Sequence, residues 1–316
     1  MPRFGHALVV SYLVLCLLWG GSVCAQSSKA SLAAYADQFQ TGKISRDGFD
    51  LYFRSAGAGE PVLILSGGPG DDCDYMLPVA AAVAKHQKAI LVEQRGTGRS
   101  LPPHVDATTM NVALSLADYE ALRMYLKADR WTVIGHSAGG LLAIRYAIAQ
   151  PEHVSQLVLL DSAPVSFSAL AAFDDNILDR LQMGDRTKLE ALESQSGNGA
   201  RADAAELQSQ ALFFNRELGS QMGKELSSAW HSDVGHLLGR EITPPNYDLR
   251  PQLGKYQGRV LVLSGRQDPM DPVAAYETKL AFQHAAVRFI DRAGHFPWFE
   301  QPAAFNQALD DFFTSK

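Results

Sequence analysis

Cysteine is almost missing from this 316-residue chain: there are three, and two of them, Cys16 and Cys24, lie within the first 25 residues. Those residues carry the pattern of a secretory signal peptide. Arg3 supplies the charge, Ala7 to Leu18 the apolar core, and Val23-Cys24-Ala25 a small-residue cleavage site before Gln26. The apolar run is short for a spanning helix, so the expectation is export to a periplasmic or secreted location without a stable membrane anchor. Once that segment is removed Cys73 stands alone, which excludes an internal disulfide and leaves stability to the core. About 290 residues, drawn from a chain that is 47% hydrophobic, can bury such a core as one domain with an inserted lid. Basic tracts are missing too. Loss of Arg3 takes the formal charge from −6 to −7, which argues against nucleic acid or an anionic membrane as partner.

Metal and cofactor motifs are also absent. His231 and His236 are five apart, on different faces of any helix, and the glycines of Gly96-Thr97-Gly98 lack the spacing of a nucleotide fingerprint. Asp71, Asp72 and Asp74 suit a helix N-terminus better than a cation. No cofactor is expected.

What is present is alternation. Strand patterns recur at 50–54, 61–65, 88–93, 131–134, 156–160, 259–264 and 286–290, with a hairpin turn at Asp47-Gly48 before the first and a loose lead-in over 26–38. Helical patterns at 74–86, 110–128, 137–149, 272–283 and 302–314 alternate with the later strands, which predicts a mostly parallel sheet covered on both faces. The alternation stops over 164–250, where helices are expected at 168–183, 188–194, 202–218 and 224–236. Gly197-Asn198-Gly199 and Thr243-Pro244-Pro245-Asn246 punctuate that stretch. The core is therefore expected from 26–163 and 251–316, with 164–250 as a helical lid governing substrate entry.

Within this frame Gly135-His136-Ser137-Ala138-Gly139 lies between the strand-like Trp131-Thr132-Val133-Ile134 and a helical run that Pro151 stops. A G-x-S-x-G in that context is a nucleophile elbow: only small residues fit two positions either side of the serine, and the turn lifts the Ser137 hydroxyl clear of the sheet. A serine nucleophile needs a base and an acid to orient it, in the chain order Ser, Asp or Glu, His. Asp268 follows the strand 259–264, and His295 follows the strand 286–290. Asp271 is the alternative acid, placed second because it stands farther from the strand. The oxyanion hole requires two backbone N–H groups, assigned to Ala138 and to Gly68 in Ser66-Gly67-Gly68-Pro69-Gly70 after the strand 61–65.

With these residues in place, nearly all of the chain after its first 25 residues resembles the α/β-hydrolase superfamily, and within it the prolyl aminopeptidase (proline iminopeptidase) branch. The resemblance rests on Gly67-Gly68-Pro69-Gly70, on Glu93-Gln94-Arg95-Gly96-Thr97-Gly98-Arg99-Ser100, and on Gly294-His295-Phe296-Pro297-Trp298-Phe299-Glu300-Gln301-Pro302. Three departures from that branch stand out. Ser66 stands in place of its histidine, Glu93 in place of its usual aspartate, and Gly-His-Ser-Ala-Gly in place of Gly-Gly-Ser-Trp-Gly. The resemblance implies a serine hydrolase acting through an acyl-enzyme, an aminopeptidase that prefers N-terminal proline. The alternatives are a carboxylesterase of small esters, the class in which Gly-His-Ser-Ala-Gly is commoner, with perhydrolysis as a side activity, or a non-catalytic binding protein on the same fold. An aminopeptidase must hold a free α-amine, so a lid carboxylate is sought among Glu206, Glu217, Glu225 and Glu241. Phe213, Phe214, Trp230 and Tyr247 are candidates for an apolar pocket or for core, and Trp230 and Trp298 for substrate contact.

Overall fold

Eight strands form one sheet in the computed structural model, which describes residues 29–195, 198–227 and 231–315. They are β1 Gln40–Arg46, β2 Phe49–Ala56, β3 Pro61–Leu65, β4 Lys88–Val92, β5 Trp131–His136, β6 Val154–Leu160, β7 Arg259–Gly265 and β8 Ala285–Ile290, in the spatial order β1-β2-β4-β3-β5-β6-β7-β8. β2 pairs antiparallel with β1 and with β4, and every other pairing is parallel. The central strands are short aliphatic runs because both of their faces are covered, which removes any polar alternation. The helices are α1 Lys29–Ala36, α2 Leu77–Val83, α3 Val112–Tyr125, α4 Ala138–Ala149, α5 Phe167–Leu170, α6 Phe173–Arg180, α7 Met183–Glu193, α8 Asn198–Leu212, α9 Arg216–Ser227, α10 Ser232–Ile242, α11 Arg250–Leu253, α12 Pro272–Ala281, α13 Pro297–Glu300 and α14 Pro302–Thr314. Two apolar clusters line the two faces of the sheet.

Local differences from the sequence expectation have physical causes. β1 is polar and mostly exposed, with only Ile44 buried, and pairs because the two-residue Asp47-Gly48 turn (Gly48 φ 88°) folds it onto β2. Residues 29–36 form α1 rather than a loose lead-in. The expected helix over 202–218 is broken at 213–215. There Asn215 Oδ1 caps α9 by accepting from Glu217 N and Leu218 N, and Phe213 turns inward to stack on Phe296 at 4.9 Å.

Between β6 and β7 the described residues form helices and no strand beyond a single bridge, Ser166 to Asp248. Phe167 N donates to Tyr247 O at 2.8 Å and Leu249 N to Val165 O at 2.9 Å, so both ends of the insertion leave the sheet side by side. Leu181, Leu189, Leu207 and Ala211 give it a small core of its own. Residues 1–25, Gly197 and Trp230 lie outside the described residues. Among the described residues, no helix is long and apolar enough to cross a membrane.

Candidate active site

Ser137 sits between β5 and α4 with φ 51° and ψ −122°, a backbone conformation that costs a non-glycine residue about 1–3 kcal/mol and so must be held from outside. Three backbone bonds hold it: Ser137 N to Leu160 O, and Gly140 N and Ala163 N to Ser137 O, each 3.0 Å. A side chain at Gly135 would strike the Gly139 carbonyl, and one at Gly139 would strike the Ser66 carbonyl, which is why the elbow is flanked by glycine. Ser137 is the N-cap of α4, but its hydroxyl makes no capping bond and stays available for chemistry at the positive end of that helix.

Asp268 and His295 are both buried, and both Asp268 carboxylate oxygens lie 3.0 Å from His295 Nδ1. A carboxylate only accepts, so the proton is on Nδ1 and Nε2 is left as the basic atom. Asp268 is fixed in turn by Met270 N, which donates to Oδ1 at 3.0 Å. Asp271 does something else, accepting from Val273 N at 2.6 Å through its side chain and so capping α12.

A buried brace joins the glycine loop to the histidine. His136 Nε2 is 3.0 Å from the His295 carbonyl, which can only accept, so that nitrogen carries the proton. Nδ1 is then an acceptor, and Tyr75 Oη donates to it at 2.8 Å while itself accepting from Gly67 N at 2.5 Å. Burial, with the neighbouring His295 acting the same way, pushes His136 well below the usual histidine range and keeps it neutral, as the brace requires. Gly67 packs on the elbow, since a Cβ there would lie 2.8 Å from Ser137 Cβ. Gln94 Nε2 holds the start of that loop by donating to Ser66 O at 2.9 Å, and Tyr119 Oη secures Gln94 at 2.6 Å. Arg95 grips Asp118 on α3 through two bonds of 2.8 and 2.9 Å. Glu93 accepts from Arg99 N at 2.8 Å. The Glu-Gln-Arg segment thus anchors the site and leaves no free group for reaction.

The insertion covers this edge of the sheet. Leu212 O accepts from His295 N at 2.7 Å, and the Phe173 ring lies 6.3 Å from the His295 ring. Glu300 accepts from Gly294 N at 2.6 Å and Asn215 N at 2.8 Å, and burial pushes its carboxyl up.

The expected substrate-contact residues are distributed unevenly. Trp298 is 3% exposed and donates its indole N–H to Tyr75 O at 3.2 Å, so it braces the site from behind and offers no face to a substrate. Glu241 accepts from Val112 N at 2.7 Å and is committed to the start of α3. Glu206 accepts from the Ser220 hydroxyl at 2.5 Å, tying α8 to α9, and Glu217 lies in the first turn of α9. Glu225 is on the same helix. Phe213 and Tyr247 are core, the latter bonded to Pro164 O at 2.7 Å, while Phe214 is 47% exposed. Of the three early aspartates, Asp72 accepts from Asp74 N, and Asp74 pairs with Arg54. Asp71 differs. Its carboxyl lies against Gly68, where any side chain on that glycine would collide with it. Among the described residues that carboxyl has no hydrogen-bond or ion-pair partner, and burial, with Asp72 adding to it, pushes it well above the usual carboxylate range. His136, Tyr75 and Gln94 carry parts of this site that sequence reading passed over, although His136 and Gln94 stand inside motifs it had singled out, and Asp71 had been read only as a residue suited to a helix N-terminus.

Comparison with known proteins agrees with this fold. The family model described as alpha/beta hydrolase fold matches residues 60–302. A proline iminopeptidase of Heyndrickxia coagulans is 25% identical over 284 residues, covering 87% of this chain and 96% of its own. A 2-hydroxy-6-oxo-6-phenylhexa-2,4-dienoate hydrolase of Burkholderia cepacia is likewise 25% identical, over 276 residues, covering 84% and 92% of the two chains. The solved structure of a proline iminopeptidase from Mycobacterium smegmatis superposes with a TM-score of 0.70 at 19% identity, over 87% of this chain and 97% of that one, a likeness of fold. Likeness to both a peptidase and a dienoate hydrolase at 25% identity fixes the architecture and leaves the substrate to the site itself. The match over residues 60–302, on a sheet whose strand ends carry Ser137, Asp268 and His295, places the chain in the α/β-hydrolase family, where it resembles the prolyl aminopeptidases.

Proposed function

We propose that this chain is a serine hydrolase that forms an acyl-enzyme and releases N-terminal residues, proline preferred, from short peptides. Ser137 Oγ attacks the carbonyl, His295 Nε2 takes the proton and returns it to the leaving amine, and Asp268 steadies the imidazolium. Gly68 and Ala138 N–H groups receive the oxyanion, and water repeats the cycle on the acyl-enzyme. The reaction type is supported by the strained Ser137 turn and by the formed Asp268–His295 pair. The likeness to proline iminopeptidases supports the preference for proline.

The observation that carries the peptidase reading is Asp71. A substrate whose carbonyl oxygen sits at Gly68 has its α-ammonium three bonds away, within reach of a carboxyl resting on Gly68. Among the described residues this half-buried carboxyl has no cation to favour its charged form, and an ammonium brought by the substrate would supply one on binding. Asp71 therefore joins Glu206, Glu217 and Glu225 as an amine-binding group and stands ahead of them.

The test compares a free and an N-acetylated prolyl anilide on the wild type and on Asp71→Asn. Acetylation removes a charge-assisted bond and strands the carboxyl, so kcat/KM should fall by about 30- to 1,000-fold in the wild type and much less in the variant. Indifference to acetylation in the wild type would leave carboxylesterase in front. That second reading has an observation of its own, since the carboxylates of Glu206 and Glu241 are already engaged with protein groups. We further propose export of the chain, on the strength of Arg3, the apolar stretch Ala7 to Leu18 and Val23-Cys24-Ala25.

A further inference from the structure

Asp161 directly follows β6, at φ 41°, and is buried. Its Oδ1 accepts from Gly265 N at 2.7 Å and from Ser264 Oγ at 3.1 Å, which fixes the plane of the carboxyl. Its Oδ2 is enclosed and has no hydrogen-bond partner of the ordinary donor type. Across from it stands the acid of the reactive pair: Asp161, Asp268 and His295 each bring a polar side-chain atom within 4.8 Å of the others. Two ionised carboxylates at that separation, shut away from water, repel strongly, and a single proton between them turns the repulsion into a hydrogen bond.

We propose that Asp161 holds a proton on Oδ2 and donates it to the Asp268 carboxylate, acting as a positioning residue for the Asp268–His295 pair. Burial pushes the Asp161 carboxyl well above the usual carboxylate range, and the Asp268 charge pushes it the same way. The other charged and titratable groups around the pair leave this arrangement intact. Arg180 of α6 bonds the Gln267 carbonyl, beside Asp268. His136 of β5 lies 4.6 Å from the His295 ring and is kept neutral. Glu300 of α13 is occupied by backbone N–H groups. The donated bond keeps Asp268 turned toward His295 and tempers its hold on the imidazolium proton, which must be surrendered to the leaving group.

The inference rests on the catalytic roles proposed for Ser137, Asp268 and His295, which Ser137→Ala tests separately. Asp161→Asn has the donor and acceptor pattern of a protonated carboxyl, whereas Asp161→Ala has neither. The alanine variant should lose about 10- to 100-fold in kcat, the worth of a bond to a charged group, with the acid limb of its pH–rate profile moved to higher pH. Asp161→Asn should restore most of that loss and return the limb to its wild-type position. In an Asp268→Asn background the carboxylate that accepts this proton is gone while burial still keeps Asp161 protonated, so adding Asp161→Asn there should change kcat by no more than about twofold. If the alanine variant does not fold, the asparagine variant and the double variant decide the matter. An acid limb moved to lower pH in Asp161→Asn alone would show that Asp161 is a resident charge and overturn the proposal. Activity lost to a chelator and restored by zinc would overturn it too, by putting a cation where the proton is assigned.

Discussion

His136 offers the sharpest quantitative test, because every partner of its ring is known. Its two nitrogens join the Tyr75 hydroxyl to the His295 carbonyl in the buried space behind the elbow. His136→Phe keeps the ring shape and removes both bonds. The Tyr75 O–H and the His295 C=O are then buried without partners, at about 1–3 kcal/mol each, or about 2–6 kcal/mol together. That is a large share of the roughly 5–15 kcal/mol by which proteins are stable. At about 2–4 °C per kcal/mol, Tm should fall by about 5–20 °C, read by thermal unfolding at about pH 7.5 with secondary structure intact at room temperature. His136→Gln, which can donate and accept, should recover part of the loss. Because the brace holds Gly67 and the backbone of His295, kcat should drop in His136→Phe even at temperatures where it is fully folded. A His136→Phe protein that melts within about 1 °C of the wild type would refute the reasoning.

The same histidine predicts a pH dependence. Folding depresses its pKa, so below the unfolded value of about 6.5 the unfolded chain binds a proton that the folded one refuses. Stability is therefore full above that pH and declines as pH falls, and this decline should vanish in His136→Gln; unfolding midpoints in urea from about pH 8 to about pH 5 would show it. Asp268→Asn should abolish most turnover at unchanged fold, whereas Asp271→Asn, whose amide oxygen still caps α12, should leave both stability and kcat nearly intact; steady-state rates on both variants decide between the two acids. Protein recovered from outside the cytoplasm of a producing cell should begin at or near Gln26 when sequenced from its N-terminus, and membrane-bound protein retaining residues 1–25 would contradict export.

The parts of this molecule legible in its sequence are those made by near neighbours. The elbow is written in five consecutive residues, and Asp268 and His295 follow strands whose aliphatic runs stand out from their surroundings. What escaped reading depends on distant partners. His136 acquires its role from Tyr75, 61 residues away, and from His295, 159 residues away. The break after Leu212 arises because the Leu212 carbonyl meets His295 N and the Glu300 carboxylate meets Asn215 N, neither of which is visible in the helical periodicity of 202–218. β1 has a mostly polar sequence in which only Thr41 and Ile44 favour a strand, and it pairs because the hairpin delivers it to β2. Trp298 stands three residues after His295 in sequence, yet its indole points into the core, a direction that sequence spacing does not announce.

The central claim is that Ser137 is the nucleophile. Intact-mass spectrometry during turnover of a nitrophenyl ester, followed by peptide mapping, tests it directly. An acyl adduct should appear on Ser137, forming in a burst and decaying with the steady-state rate. Ser137→Ala should show no adduct and no more than about a thousandth of the wild-type kcat. Turnover retained in Ser137→Ala, or an adduct mapped to any other residue, would contradict it.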